Sequence, residues 1–99
     1  KLVNNLFVYN RAENHGGAIY FAGQNSGQKI YNNTFYANHA GKGGAVSCIM
    51  QSSPEFINCI FYHDSAEIAG NEVNVSYYTY SPGVPDFSYC LLEGGTDSI

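Results

Sequence analysis

The chain holds no tryptophan, one methionine, three prolines and only four lysines and arginines. Four cations cannot lay a phosphate-binding stripe, so nucleic acid is not an expected partner. Charged residues are scarce at 12%, while hydrophobic residues reach 44% and the net charge is only −4. A disordered tail has the opposite balance. No apolar run approaches the roughly 18 residues of a membrane helix. The three cysteines, Cys48, Cys59 and Cys90, are an odd count with no Cys-x-x-Cys pair. They imply neither a full disulfide framework nor a zinc site. Also missing are a Gly-Gly-x-Gly-x-Asp calcium motif and the regular Thr-x-Thr columns of an ice-binding face. Apolar positions do not recur at the helical period, and eleven glycines and fifteen aromatic rings disfavour long helices. Ninety-nine residues allow one domain at most. The start at Lys1-Leu2-Val3, without Met or signal peptide, is expected of a mature product or of a piece of a longer protein.

What is present is repetition. Leu2, Asn5, Phe7, Asn10 and Ala12 set a spacing that returns as Ile30, Asn33, Phe35, Asn38 and Ala40. It returns again as Phe56, Cys59, Phe61, Asp64 and Ala66, and begins once more at Phe87, Cys90 and Leu92. The steps are 28, 26 and 31 residues. A second marker travels with the first: Gly16-Gly17-Ala18-Ile19, Gly43-Gly44-Ala45-Val46 and Gly70-Asn71-Glu72-Val73, each 27 residues apart. Two markers sharing one period identify a repeat architecture. Short β runs with alternate apolar positions accompany them: Ile19/Phe21, Val46/Cys48 and Val73/Val75.

The pattern predicts an all-β right-handed parallel β-helix of about three and a half rungs, each 26–31 residues long. Residues 1–99 then form one segment, expected to belong to a longer solenoid. Three strands per rung are expected. One follows the glycine pair, one ends near Leu2, Ile30, Phe56 and Phe87, and one carries Phe7, Phe35, Phe61 and Leu92. Asn5, Asn33, Cys59 and Cys90 fall at the bend between the second and third. A buried asparagine there can bond backbone groups above and below, so the four are expected to form a structural ladder. Asn10, Asn38 and Asp64 mark a second polar corner, with Ala12, Ala40 and Ala66 kept small by its tightness. The paired glycines are expected to permit positive φ.

Phe7-Val8-Tyr9-Asn10 and Phe35-Tyr36-Ala37-Asn38 fit an FxxN motif, and Gly16 to Ile19 and Gly43 to Val46 fit GGA[ILV]. Together they resemble the repeats of the chlamydial polymorphic outer-membrane proteins, whose passenger regions are surface β-helices. The third rung departs from both motifs, with Asp64 for Asn and Gly70-Asn71-Glu72-Val73 for GGA[ILV]. The stretches Ile57 to Phe61, Gly70 to Val73 and Pro85 to Gly95 are similar to the right-handed parallel β-helix repeat proteins secreted by Bacteroidetes-like bacteria. The resemblance spans nearly the whole chain. It implies fold more than function, because such rungs serve adhesins, cell-wall proteins and polysaccharide-active enzymes alike.

Catalytic residues are not expected. Lyases of the pectate-lyase-like β-helix type need an Arg or Lys base and usually calcium held by carboxylates. The outward columns of the first strand would be Ala18/Ala45/Glu72, Tyr20/Ser47/Asn74 and Ala22/Ile49/Ser76, which offer one carboxylate and no cation. Glycoside hydrolases need clustered acids. Of the eight here, Asp64, Glu67 and Glu72 surround one corner and are expected to sit in a solvated turn, with a catalytic or calcium role the alternative. His15, His39 and His63 do not share one column and are expected at the surface, so neither metal nor cofactor is expected. Cys59 and Cys90 are expected as stacked reduced thiols. Tyr77, Tyr78 and Tyr80 cluster in the longest turn and are candidates for stacking on sugar rings.

The expected role is therefore a structural or adhesive segment of a secreted or cell-surface bacterial protein, with an extracellular polysaccharide or surface glycan as partner. The alternative is a set of non-catalytic rungs from a polysaccharide lyase or glycoside hydrolase. Open rung ends also predict end-to-end self-association.

Overall fold

The computed structural model describes residues 1–22, 26–49, 53–76 and 85–93. Every regular element in them is a β-strand, and every pairing is parallel. With strands numbered in chain order, the first sheet stacks β1 (Leu2–Val3), β4 (Ser26–Tyr31), β8 (Ser53–Ile57) and β12 (Asp86–Ser88). The second stacks β2 (Leu6–Val8), β5 (Thr34–Tyr36), β9 (Ile60–Tyr62) and β13 (Leu91–Leu92). The third pairs β6 (His39–Lys42) with β10 (Ser65–Ala69). The fourth stacks β3 (Ile19–Phe21), β7 (Val46–Ile49) and β11 (Val73–Ser76). Successive strands of one rung lie in different sheets, which is a parallel β-helix.

The register follows the repeat. Leu2 pairs with Ile30, Ile30 with Phe56, and Phe56 with Phe87. Phe7, Phe35 and Phe61 pair in line, and Leu92 follows Phe61. Their rings stack almost flat, at 4.9 Å for Phe7–Phe35 and 4.6 Å for Phe35–Phe61. Ile30, Phe35, Val46, Cys48, Phe56, Phe61 and Val73 are buried to 1% exposure or less. Leu2, Phe7, Ile19, Phe21, Phe87 and Leu92 are only partly covered. The core is thus densest in the middle rungs, because a side chain there has a like neighbour on both sides.

The third sheet is the main departure from the sequence reading, which expected a tight corner at Ala12, Ala40 and Ala66. Those residues lie along a strand path instead. Ala40 pairs with Ala66, and bridges at Arg11–His39 and His15–Lys42 carry the ladder down one rung. The segment His39-Ala40-Gly41-Lys42 has no β-branched residue and no apolar alternation, so its strand character comes from its neighbours and not from propensity.

Each described rung turns through residues in the left-handed region. Asn4, Asn32, Asn58 and Tyr89 form one such column, Tyr9, Ala37 and His63 another, and Gly16, Gly43 and Gly70 a third. Each polar-corner residue follows directly after one of these bends. Only the first glycine of each pair has positive φ. The second serves a different need: a Cβ on Gly17 would strike the Gly44 carbonyl oxygen, and one on Gly44 would strike that of Asn71. The second glycine therefore allows the next rung to approach.

Candidate functional site

The predicted ladder residues occupy one column, immediately before β2, β5, β9 and β13. Asn33 accepts the Asn5 N–H at its Oδ1 (2.7 Å) and donates from Nδ2 to the Leu2 carbonyl (2.9 Å). The thiols repeat the pattern. Cys59 Sγ donates to the Ile30 carbonyl (3.2 Å), Cys90 Sγ donates to the Phe56 carbonyl (3.4 Å), and Cys59 N–H donates to Cys90 Sγ (3.4 Å). Asn33 and Cys59 are buried, but Asn5 is exposed, because it stands on the first rung with no side chain beneath it. Burial pushes the Cys59 thiol up to about 11 and the Cys48 thiol up to about 12, so both are inert packing groups at neutral pH.

The second corner runs the same way. Asn10 N–H donates to Asn38 Oδ1 (3.0 Å), and Asn38 N–H donates to Asp64 Oδ1 (2.8 Å). Asn38 Nδ2 reaches the Phe7 carbonyl and Asp64 Oδ1. At Asp64 the column changes residue type, and Glu72, immediately before β11, lies beside it. The Asp64 side chain and backbone both act on its carboxyl at close range. This corrects the expected solvated turn. Asp64 is 5% exposed and Glu72 1%. Glu67 stands apart from the pair, exposed, with its Oε1 3.3 Å from His39 Nε2. Among the described residues no three His, Cys, Asp or Glu side chains group as a metal site.

The columns expected to face outward beside the glycine pair are largely covered. Ala45 lies in the core, Ser47 and Asn74 are buried, and Glu72 belongs to the acid corner. His15 lies across this face, its Nδ1 sharing a hydrogen bond with Ser47 Oγ (3.0 Å) and its ring stacked on Tyr20 at 5.1 Å. Asn74 Nδ2 donates to the same Ser47 oxygen. Burial, and then the Lys42 ammonium, hold His15 below the usual imidazole range, so it is neutral at neutral pH.

A shallow groove of about 400 Å³ is lined by Arg11, Ala12, Glu13, His39 and Glu67. His39 bridges Ser65 Oγ (2.8 Å at Nδ1) and Glu67. These are the residue types of a hydrolase triad, without its build. Glu67 is two-thirds exposed, so no buried carboxylate fixes the imidazole. His63 pairs instead with Glu93, at 3.5 Å, and also donates its backbone N–H to it. The three histidines serve three different local networks.

The outer face of the second sheet has a different character. Tyr36 and Tyr62 are paired in register and stack at 6.1 Å, inclined by 15°. Tyr9 packs edge-on against Tyr36 at 5.9 Å, and the His63 ring lies 4.0 Å from that of Tyr62. Beside this stripe runs a column of Leu6, Thr34, Ile60 and Leu91, in which the three aliphatic side chains are exposed. The strip is flat, because parallel strands in register carry it, and no lysine or arginine lies on these strands.

Residues 6–22 match the Chlamydia polymorphic membrane protein repeat. The matched stretch holds one copy of each motif in full, Phe7 to Asn10 and Gly16 to Ile19, together with the bends after β2 and before β3. The match points to a segment of a bacterial surface or outer-membrane protein. No curated protein and no solved structure matches the chain. No helix among the described residues is long and apolar enough to cross a membrane, which leaves strand-built barrels untouched.

Tyr77, Tyr78 and Tyr80 lie outside the described residues. The stripe of Tyr9, Tyr36 and Tyr62 was missed by the sequence reading, although a signal existed. Tyr36 and Tyr62 each follow the core phenylalanine of their rung, and a residue next to an inward one on a strand points outward. The Asp64–Glu72 pairing had no such signal, since it joins residues of one rung across β10.

Proposed function

We propose that this chain is a structural and adhesive segment of a bacterial surface β-helix protein, and that its second sheet contacts neutral glycans. The observation that carries this reading is the ring stripe of exposed Tyr9 and Tyr62 and half-buried Tyr36, beside Leu6, Ile60 and Leu91. Aromatic faces pack against the C–H faces of sugar rings, while tyrosine hydroxyls and Thr34 supply polar partners at the edge. The solenoid holds the rings at fixed spacing, so a chain of sugars lying along the axis meets several at once without ordering a loop. The repeat match over residues 6–22 supports the surface setting. The groove beside His39 has no buried carboxylate to orient the imidazole, and the acid pair is closed off from solvent, which favours binding over cleavage.

Titration against a panel of soluble neutral oligosaccharides tests the reading. Weak binding is expected, lost by about 1 kcal/mol, or about fivefold in Kd, for each of Tyr36→Ala and Tyr62→Ala. The parent chain is expected to release no reducing or unsaturated ends from pectin-like polymers. Binding unchanged in both variants would place the contact elsewhere, and cleavage lost in Glu72→Gln would make the chain an enzyme.

A further inference from the structure

The Asp64 corner ends its polar ladder in an unusual way. Below it, each rung closes the column with an asparagine, which both donates and accepts. Beside Asp64 stands Glu72, another acid. Asp64 Oδ2 and Glu72 Oε2 are both buried, and neither receives a hydrogen bond among the described residues. Two carboxylates have no donor between them, so the contact between these side chains needs a proton on one. We propose that the Asp64–Glu72 pair is a proton lock, in which one shared proton fastens the start of β11 to the polar ladder and its loss frees that corner.

The surroundings favour the protonated form. Burial acts first, then the hydrogen bond to Asp64 and its charge, then the more distant charge of Glu93, and together they push Glu72 up to about 9. The Asp64 N–H works weakly the other way. Glu93 is itself engaged by the His63 ring and N–H. On the other side of Asp64 stands the neutral Asn38 amide. No cation enters the balance on Glu72 among the described residues.

The consequence has a definite sign. A folded-state pKa raised above the unfolded value means that the folded chain binds the extra proton. The stabilisation is complete below the ordinary carboxylate range, near 4.5, and is lost as pH rises through about 9. The corner is therefore tightest in mild acid. The lock also accounts for two of the third rung's departures from the motifs: Asp64 and Glu72 replace Asn and Ala as a pair.

Urea unfolding of the chain between about pH 6.5 and pH 7.5, where few unfolded thiols ionise, reads the lock. The midpoint is expected to fall with pH in the parent, to fall less in Asp64→Asn, where Glu72 is still buried, and to fall least in Glu72→Gln. The second variant restores the residue found in the two rungs below and keeps the fold if the first does not. Carbon NMR of the Glu72 carboxyl gives an independent reading, with titration expected above neutrality in the parent and lower in Asp64→Asn. Titration of Glu72 in the ordinary carboxylate range, or an equal pH slope in all three proteins, would overturn the lock. So would recovery of the alkaline midpoint by added Ca²⁺ in the parent alone, which would make the pair a cation seat. None of these outcomes bears on glycan contact at the second sheet.

Discussion

The Asn33 amide makes two bonds that no apolar side chain can replace, one to the Asn5 N–H and one to the Leu2 carbonyl. Strand ladders cannot satisfy these groups, because the chain bends there through Asn4 and Asn32 at positive φ. Asn33→Leu is expected to cost about 1–3 kcal/mol by leaving buried backbone unpaired, read as a lower urea midpoint with an unchanged slope. An unchanged midpoint would show that the amide is dispensable. The position of this column was legible because spacing alone locates it. The chemistry at Cys59 and Cys90 was not legible: the thiols donate to the Ile30 and Phe56 carbonyls in the asparagine manner. The left-handed residues were legible only where glycine or asparagine occupies them. Tyr9, Ala37, His63 and Tyr89 adopt the same φ because the rung closes around them, and their side chains give no sign of it.

At the scale of elements, three sheets were readable and one was not. The first, second and fourth carry large apolar residues at a fixed offset in each rung, so periodicity reveals them. The third is built of His, Ala, Gly and Lys, and exists because the rungs on either side hold it in register. Its neighbour relation depends on the second glycine of each pair. Gly44 has the Asn71 carbonyl and the Ser65 backbone where a Cβ would go. Gly44→Ala must push those rungs apart and is expected to cost about 3 kcal/mol, at the upper end of overpacking, since backbone and not a pliable side chain must move. Thermal unfolding beside the parent checks this, and an equal Tm would mean that the rungs have slack. Asn71, at the same place in the third rung, carries a side chain without harm and uses it to accept the Ala66 N–H.

The whole molecule is a stack whose middle is better made than its ends. Phe35 and Phe61 are fully buried while Phe7 and Phe87 are only partly so, and β1, β2 and β3 each have a paired strand on one side only among the described residues. That gradient is the mark of a solenoid, in which each rung is stabilised by its neighbours and not by a closed core of its own. Function was less legible than fold at this scale. The stripe of Tyr9, Tyr36 and Tyr62 arises from outward positions, on which the repeat places little constraint, and the acid lock arises from a local break in the repeat. The central claim is that successive rungs stack in parallel and in register. Backbone NOEs along Leu6, Thr34, Ile60 and Leu91 test it most directly. The account predicts sequential parallel contacts joining each residue to the next rung's counterpart. Close Hα–Hα contacts between neighbouring strands, the signature of antiparallel hairpins, would contradict it.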